Sequence, residues 1–155
     1  MGLFFGLEMK FHRLSRAFYA KFGQYKEILT KEDRPYYVLI LEMDGITYAI
    51  PLRSNISHSY CFISDNSSGK RRGLDYSKAV VITDMTQCID PTPVTIYQKE
   101  YNILKQQEFL IKRKFSSYVA SYKKEISRRK KNPALPISAI CRYSSLKYFH
   151  KELGL

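Results

Sequence analysis

Lys10-Phe-His-Arg-Leu14 alternates polar and apolar residues, which predicts a short strand. Ser15 can cap a helix over residues 15 to about 25, in which Phe18, Tyr19 and Phe22 recur at helical spacing as a core face. Gly23 weakens its end. Residues 30–35 form a polar loop, and Arg34-Pro35 forces extended backbone ahead of the next element. Residues 36–43 are rich in aromatic and branched side chains and predict a strand. Asp44-Gly45 is a two-residue hairpin signal, because Gly accepts the positive φ of a type I′ turn. Residues 46–50 return antiparallel, and Pro51, lacking an N–H, is expected to end the pairing. Counting out from the turn puts Arg34 at the same end of the ladder as Arg53 and Ser54.

Residues 59–63 predict a third strand. Residues 64–73 read as an exposed loop by composition, with three consecutive cations at Lys70, Arg71 and Arg72. Gly73-Leu-Asp-Tyr-Ser-Lys78 leads into a strand over residues 79–83. Residues 85–90 are ambiguous, and Pro91 and Pro93 close the sheet region. From about Val94 the period becomes helical, with Tyr101, Leu104, Ile111, Phe115, Tyr118 and Tyr122 on one face. That long helix ends at Asn132-Pro133. Residues 136–140 read as extended, and Ser144 or Ser145 can cap a last helix to Leu153. There is no repeat, low-complexity segment or second domain, so residues 1–155 form one domain. Strands followed by a long helix indicate an α+β fold around an antiparallel sheet.

Charge adds a partner to this picture. The chain carries a net +12 with an isoelectric point near 9.6, which calls for a polyanion. The excess is uneven: residues 101–155 hold 13 Lys and Arg against three acids, and residues 1–100 hold 13 against 11. Lys123, Lys124, Arg128, Arg129, Lys130 and Lys131 fall within nine residues. A solvated helix end explains such a run, since cations suit the dipole there, and so does phosphate binding. Cys61, Cys88 and Cys141 are far apart and form no metal-ligand spacing with the three histidines, so no metal and no disulfide framework is expected. No apolar run approaches membrane-spanning length. Residues 1–8 are expected to be an extension ahead of a second possible start at Met9, and the protein to be cytoplasmic.

The densest chemistry follows the hairpin, in Tyr48-Ala-Ile-Pro-Leu-Arg-Ser-Asn-Ile-Ser-His58. Arg53, Ser54, Asn55 and His58 lie within six residues at the end of a strand. Arg53 can bind two phosphate oxygens at once and stays charged. Arg34 can add to its field. An imidazole has the intrinsic pKa for acid or base work near neutrality, which makes His58 a candidate. Ser54 suits a phosphate hydrogen bond or orientation of the attacking group better than nucleophilic attack, since no base and orienting acid can be identified for it. Asn55 can hold the loop or bind sugar. Plainer explanations exist: turn chemistry for Ser54 and Asn55, a packed histidine, a solvated loop for Lys70, Arg71 and Arg72. Tyr36 and Tyr37 are strand residues first and can also stack on RNA.

Lys10-Phe11, the hairpin from Val38 to Leu52 followed by a polar residue and Ser54, Gly73-Leu-Asp-Tyr-Ser-Lys78 and Cys141-Arg-Tyr-Ser-Ser-Leu146 together resemble the ToxN/AbiQ/CptN family. These are endoribonuclease toxins of type III toxin–antitoxin systems, some with a role in phage defence. The likeness runs from about residue 9 to residue 150, and Ser54-Asn-Ile-x-His58 looks most like the CptN or TenpN branch. The resemblance implies a compact, strongly bent antiparallel sheet similar to the Kid/MazF barrel, with a long C-terminal helix and smaller helices. It implies metal-independent RNA cleavage that leaves a 2′,3′-cyclic phosphate, with no cofactor. It implies inhibition by a small repeat-derived antitoxin RNA, folded as a pseudoknot, in a closed toxin–RNA assembly. The family's essential serine falls on Ser54 and its basic residue before the second strand on Arg34. Its threonine before the serine is Arg53 here, and a lysine shortly after is Ile56. The catalytic cation then falls to Arg53 or to Lys78. The alternative function is a non-catalytic RNA-binding module. A DNA-binding domain is a weaker third reading, since no helix-turn-helix spacing is present.

Overall fold

The computed structural model describes residues 9–30 and 36–155. Arg34, the extended Arg34-Pro35 segment and the extension at residues 1–8 lie outside the described residues.

β1 (Lys10–Leu14), β2 (Tyr37–Met43) and β3 (Ile46–Arg53) are adjacent antiparallel strands. At the hairpin tip Asp44 and Gly45 take φ of 53° and 76°, the positive pair that this turn needs. β4 (Cys61–Asp65), β5 (Arg72–Asp75), β6 (Val80–Ile82) and β7 (Ile89–Asp90) complete a seven-stranded sheet. Its order is β4-β5-β3-β2-β1-β7, with β6 also on β3, and among the described residues these pairings do not close into a barrel.

Pro51 does not end the ladder. β3 continues through Arg53, with Pro51 opposite Val38. The reason lies on the other edge of β3. There β6 pairs with Thr47, Tyr48 and Ala49, and β5 pairs with Leu52 and Arg53. Between β5 and β6 the 3-10 turn Tyr76–Lys78 loops three residues out of line, so Ile50 and Pro51 face no ladder partner there. A bulge of this kind is where a sheet tolerates proline. The exposed loop expected over residues 64–73 is also shorter, because Arg72 and Gly73 already pair in β5. Gly73 has to be glycine: a Cβ there would lie 1.9 Å from the Phe62 carbonyl oxygen and would force β4 and β5 apart.

The helices are α1 (Arg16–Phe22), α2 (Met85–Cys88), α3 (Gln98–Gln106), α4 (Glu108–Lys131) and α5 (Ala139–Arg142). Ser15 caps α1, its side chain accepting from the Phe18 N–H. The long helix expected from Val94 is two helices that meet at Gln107. Of residues 136–140, expected as extended, Ala139 and Ile140 instead begin α5. The expected last helix is only a 3-10 turn, Ser145–Tyr148, capped by Ser144.

The apolar face of α4 lies as its periodicity predicts. Ile111, Phe115, Tyr118 and Tyr122 are buried, with Leu104 of α3. Phe115 meets Tyr48 of β3 edge-on at 5.0 Å, and each such buried side chain contributes about 1.5–3 kcal/mol. Tyr76, on the 3-10 turn, donates its hydroxyl to the Ile111 carbonyl at 3.0 Å. The Ser145 hydroxyl donates to the Ser77 carbonyl at 3.1 Å, and that of Tyr118 to Ser144 Oγ at 2.8 Å. The bulged turn is therefore gripped from two sides, by α4 and by the C-terminal segment.

Candidate active site

Register brings the site together. Arg53 lies opposite Gly73, so Asp75, two residues further along β5, presents its side chain on the same face within reach of a long guanidinium. Arg53 Nη1 donates to Asp75 Oδ2 at 2.6 Å. Asp75 also caps the 3-10 turn: its Oδ1 accepts from the Ser77 N–H at 3.0 Å and from Ser77 Oγ at 2.6 Å. His58 Nε2 stands 3.2 Å from Oδ1 and 3.3 Å from Ser77 Oγ. The carboxylate is fully buried, whereas the Arg53 and His58 side chains remain 26% and 29% exposed. One buried anion thus holds a cation and an imidazole at the protein surface. A buried carboxylate without these bonds would be costly, and here both oxygens are satisfied.

The loop carrying His58 has its own support. Asn55 sits at φ 62°, a left-handed conformation that Asn tolerates better than most residues. Arg71 Nη1 donates to the carbonyls of Ile56 and His58 at 3.1 and 2.8 Å, and the Ile56 N–H returns a bond to the Arg71 carbonyl at 2.8 Å. The Tyr60 N–H donates to His58 Nδ1 at 3.0 Å. A nitrogen that accepts cannot carry the proton, so the neutral ring is protonated on Nε2 and points that proton at Asp75 and Ser77. Cys61 is adjacent but inert. Burial first, and the Asp75 charge after it, push its thiol above the usual range despite the opposing charge of Arg71.

Of the residues singled out in the sequence, Arg53 and His58 meet through Asp75. Ser54 and Asn55 are exposed on the same loop, and the Ser54 hydroxyl has no hydrogen-bond partner among the described residues. Lys78 turns elsewhere, donating to Glu27 Oε1 at 2.8 Å and to the Tyr143 carbonyl at 2.9 Å. Arg72 forms a two-pronged pair with Glu100 at 2.8 and 3.0 Å, and Arg71 supports the His58 loop, while Lys70 is exposed. Tyr37 is half-buried with the Arg13 guanidinium 5.7 Å from its ring centre. Lys124, Arg128, Lys130 and Lys131 are exposed at the end of α4, Lys123 and Arg129 half-buried, and Arg128 pairs with Glu125 at 2.7 Å. Sequence reasoning missed Asp75 and Ser77. The signal was present in Leu74-Asp-Tyr-Ser-Lys78, an Asp two residues ahead of a Ser, which is an N-cap pattern.

The Glu27–Lys78 pair gives the protein an acid-sensitive clamp. Burial alone would raise the Glu27 carboxyl. The hydrogen bond and charge of Lys78, with Lys147 and Lys26, more than offset this and hold it below its ordinary value of 4.5. A carboxyl lowered on folding contributes stability above that ordinary value, and the contribution is lost as pH falls through the folded value. Stability is therefore expected to fall as pH drops below the ordinary carboxyl value, and Glu27→Gln to flatten that part of the profile. Urea midpoints measured across this range check it. An unchanged slope in the variant would assign the acid sensitivity to other carboxylates.

Among the described residues no group of three or more His, Cys, Asp or Glu side chains could hold a metal ion, and no helix is long and apolar enough to cross a membrane. Comparison with protein-family models, curated proteins and solved structures returns no match to this chain.

Proposed function

We propose that the protein is a metal-independent endoribonuclease, the toxin of a type III toxin–antitoxin pair. The observation that carries this reading is the buried Asp75 carboxylate holding Arg53 and His58 side by side at the surface of a basic protein. In the reaction the ribose 2′-oxygen attacks phosphorus, the P–O5′ bond breaks, and a 2′,3′-cyclic phosphate and a 5′-hydroxyl result. The 2′-hydroxyl loses a proton and the leaving 5′-oxygen gains one. Arg53 has five N–H donors and gives one to Asp75, which leaves the rest for phosphate oxygens as charge gathers on them. The exposed Ser54 hydroxyl adds a donor to phosphate or orients the 2′-hydroxyl. His58 serves as acid or base once substrate replaces one of its two present bonds. Ser77 and Asp75 set its tautomer.

The wider proposal follows the sequence resemblance. The bent sheet of the Kid/MazF toxins, an antitoxin RNA pseudoknot, a closed toxin–RNA assembly, action in the cytoplasm and a part in phage defence all belong to it. The exposed cations Lys124, Lys130 and Lys131 at the end of α4 suit the phosphates of the inhibitory RNA. A second reading, a non-catalytic RNA-binding module, is favoured by one specific observation: both His58 nitrogens are engaged, Nδ1 by the Tyr60 N–H and Nε2 by Asp75 and Ser77. Purified protein incubated with an RNA transcript in EDTA separates the two. Fragments with cyclic-phosphate ends are expected. Intact RNA recovered bound to the protein would leave the binding module.

A further inference from the structure

We propose that the groove between β4 and α4 is the subsite for the nucleotide beside the scissile phosphate, and that it selects single-stranded RNA. The proposal rests on the RNA-cleaving reading and names where the substrate lies. The groove encloses about 470 Å³. Tyr60 and Tyr76 line it from the strand side, and Arg113, Lys114, Ser117 and Tyr118 of α4 complete it. Among the described residues its lining contains no carboxylate.

Position ties the groove to the site. The Tyr60 ring lies 5.9 Å from the His58 ring and 5.8 Å from that of Tyr118. The same residue gives its N–H to His58 Nδ1. A nucleotide against Tyr60 therefore lies beside the residue that holds the imidazole. Chemistry then names the occupant. The half-buried Tyr60 ring accepts any base by stacking, but only one already out of a helix, which favours a single strand over a duplex. The two cations meet phosphate, and the Ser117 and Ser121 hydroxyls offer hydrogen bonds to base or sugar. The volume falls in the range typical of small-ligand clefts.

Ser117 is exposed and its hydroxyl makes no hydrogen bond among the described residues, so a larger side chain fills the groove without disturbing the core. The probe is a fluorescein-labelled, fully 2′-O-methylated RNA of eight nucleotides, which cannot be cleaved by 2′-attack. Ser117→Tyr and, as an independent variant, Arg113→Glu are each expected to weaken its binding about tenfold or more. Equal affinity of both variants and the unaltered protein overturns the subsite. If the variants lose binding but the unaltered protein fails to cleave the matching 2′-hydroxyl RNA, the groove stands as an RNA-binding site and the ribonuclease reading falls. If Ser117→Tyr cleaves that RNA with unchanged kcat/KM, the subsite falls and the ribonuclease reading stands.

Discussion

Asp75→Asn is expected to lower unfolding stability by about 2–3 kcal/mol and to reduce RNA cleavage at least about a hundredfold. The carboxylate is fully buried and takes four contacts from Arg53, His58 and Ser77. Asn keeps the shape but removes the charge, and its amide nitrogen faces a donor whichever way it turns. Removing one partner of a buried pair typically costs about 3–5 kcal/mol, and the cost here falls at or below the low end of that range because Arg53 and His58 reach water. Activity falls for a separate reason. Without the anion, nothing fixes Arg53 relative to His58, and a misplacement of about 1 Å costs on the order of a hundredfold. Urea unfolding and a cleavage assay at a temperature where the variant is folded measure the two effects. An unchanged urea midpoint would mean that Asp75 does not hold the cluster.

Arg53→Lys is expected to reduce kcat about 10²–10³-fold with little change in stability. The substitution preserves charge and removes the planar fork. Lysine can still meet Asp75, but a single ammonium cannot grip Asp75 and two phosphate oxygens together. If long-range field alone matters, the variant keeps near-normal kcat and shows only a stronger salt dependence. Comparing kcat and KM at low and moderate salt distinguishes the two outcomes.

What the sequence shows of this molecule is what acts locally. The hairpin is legible because Asp44 and Gly45 carry the turn chemistry themselves. So are the Ser15 cap, the apolar face of α4 and its end ahead of Pro133. β5 is not legible, because its pairing depends on Gly73 allowing close approach to Phe62. β7 is two residues long and carries no period. Pro51 misleads, because the bulge that tolerates it lies in another segment, at Tyr76–Lys78. The site divides in the same way. Arg53 and His58 are near neighbours in sequence and stand out together. Asp75 reaches Arg53 across 22 residues and Glu27 reaches Lys78 across 51, so the partner that builds the site and the partner that occupies Lys78 both come from register and packing.

The central claim is that this cluster directs a ribose 2′-oxygen onto the adjacent phosphorus. An oligoribonucleotide carrying one 2′-deoxy sugar on the 5′ side of a mapped cut tests it directly. In EDTA the protein is expected to cut the all-ribose strand to a 2′,3′-cyclic phosphate and to leave the substituted linkage intact. Cleavage at the deoxy position, or a 5′-phosphate on the downstream product, would contradict the account.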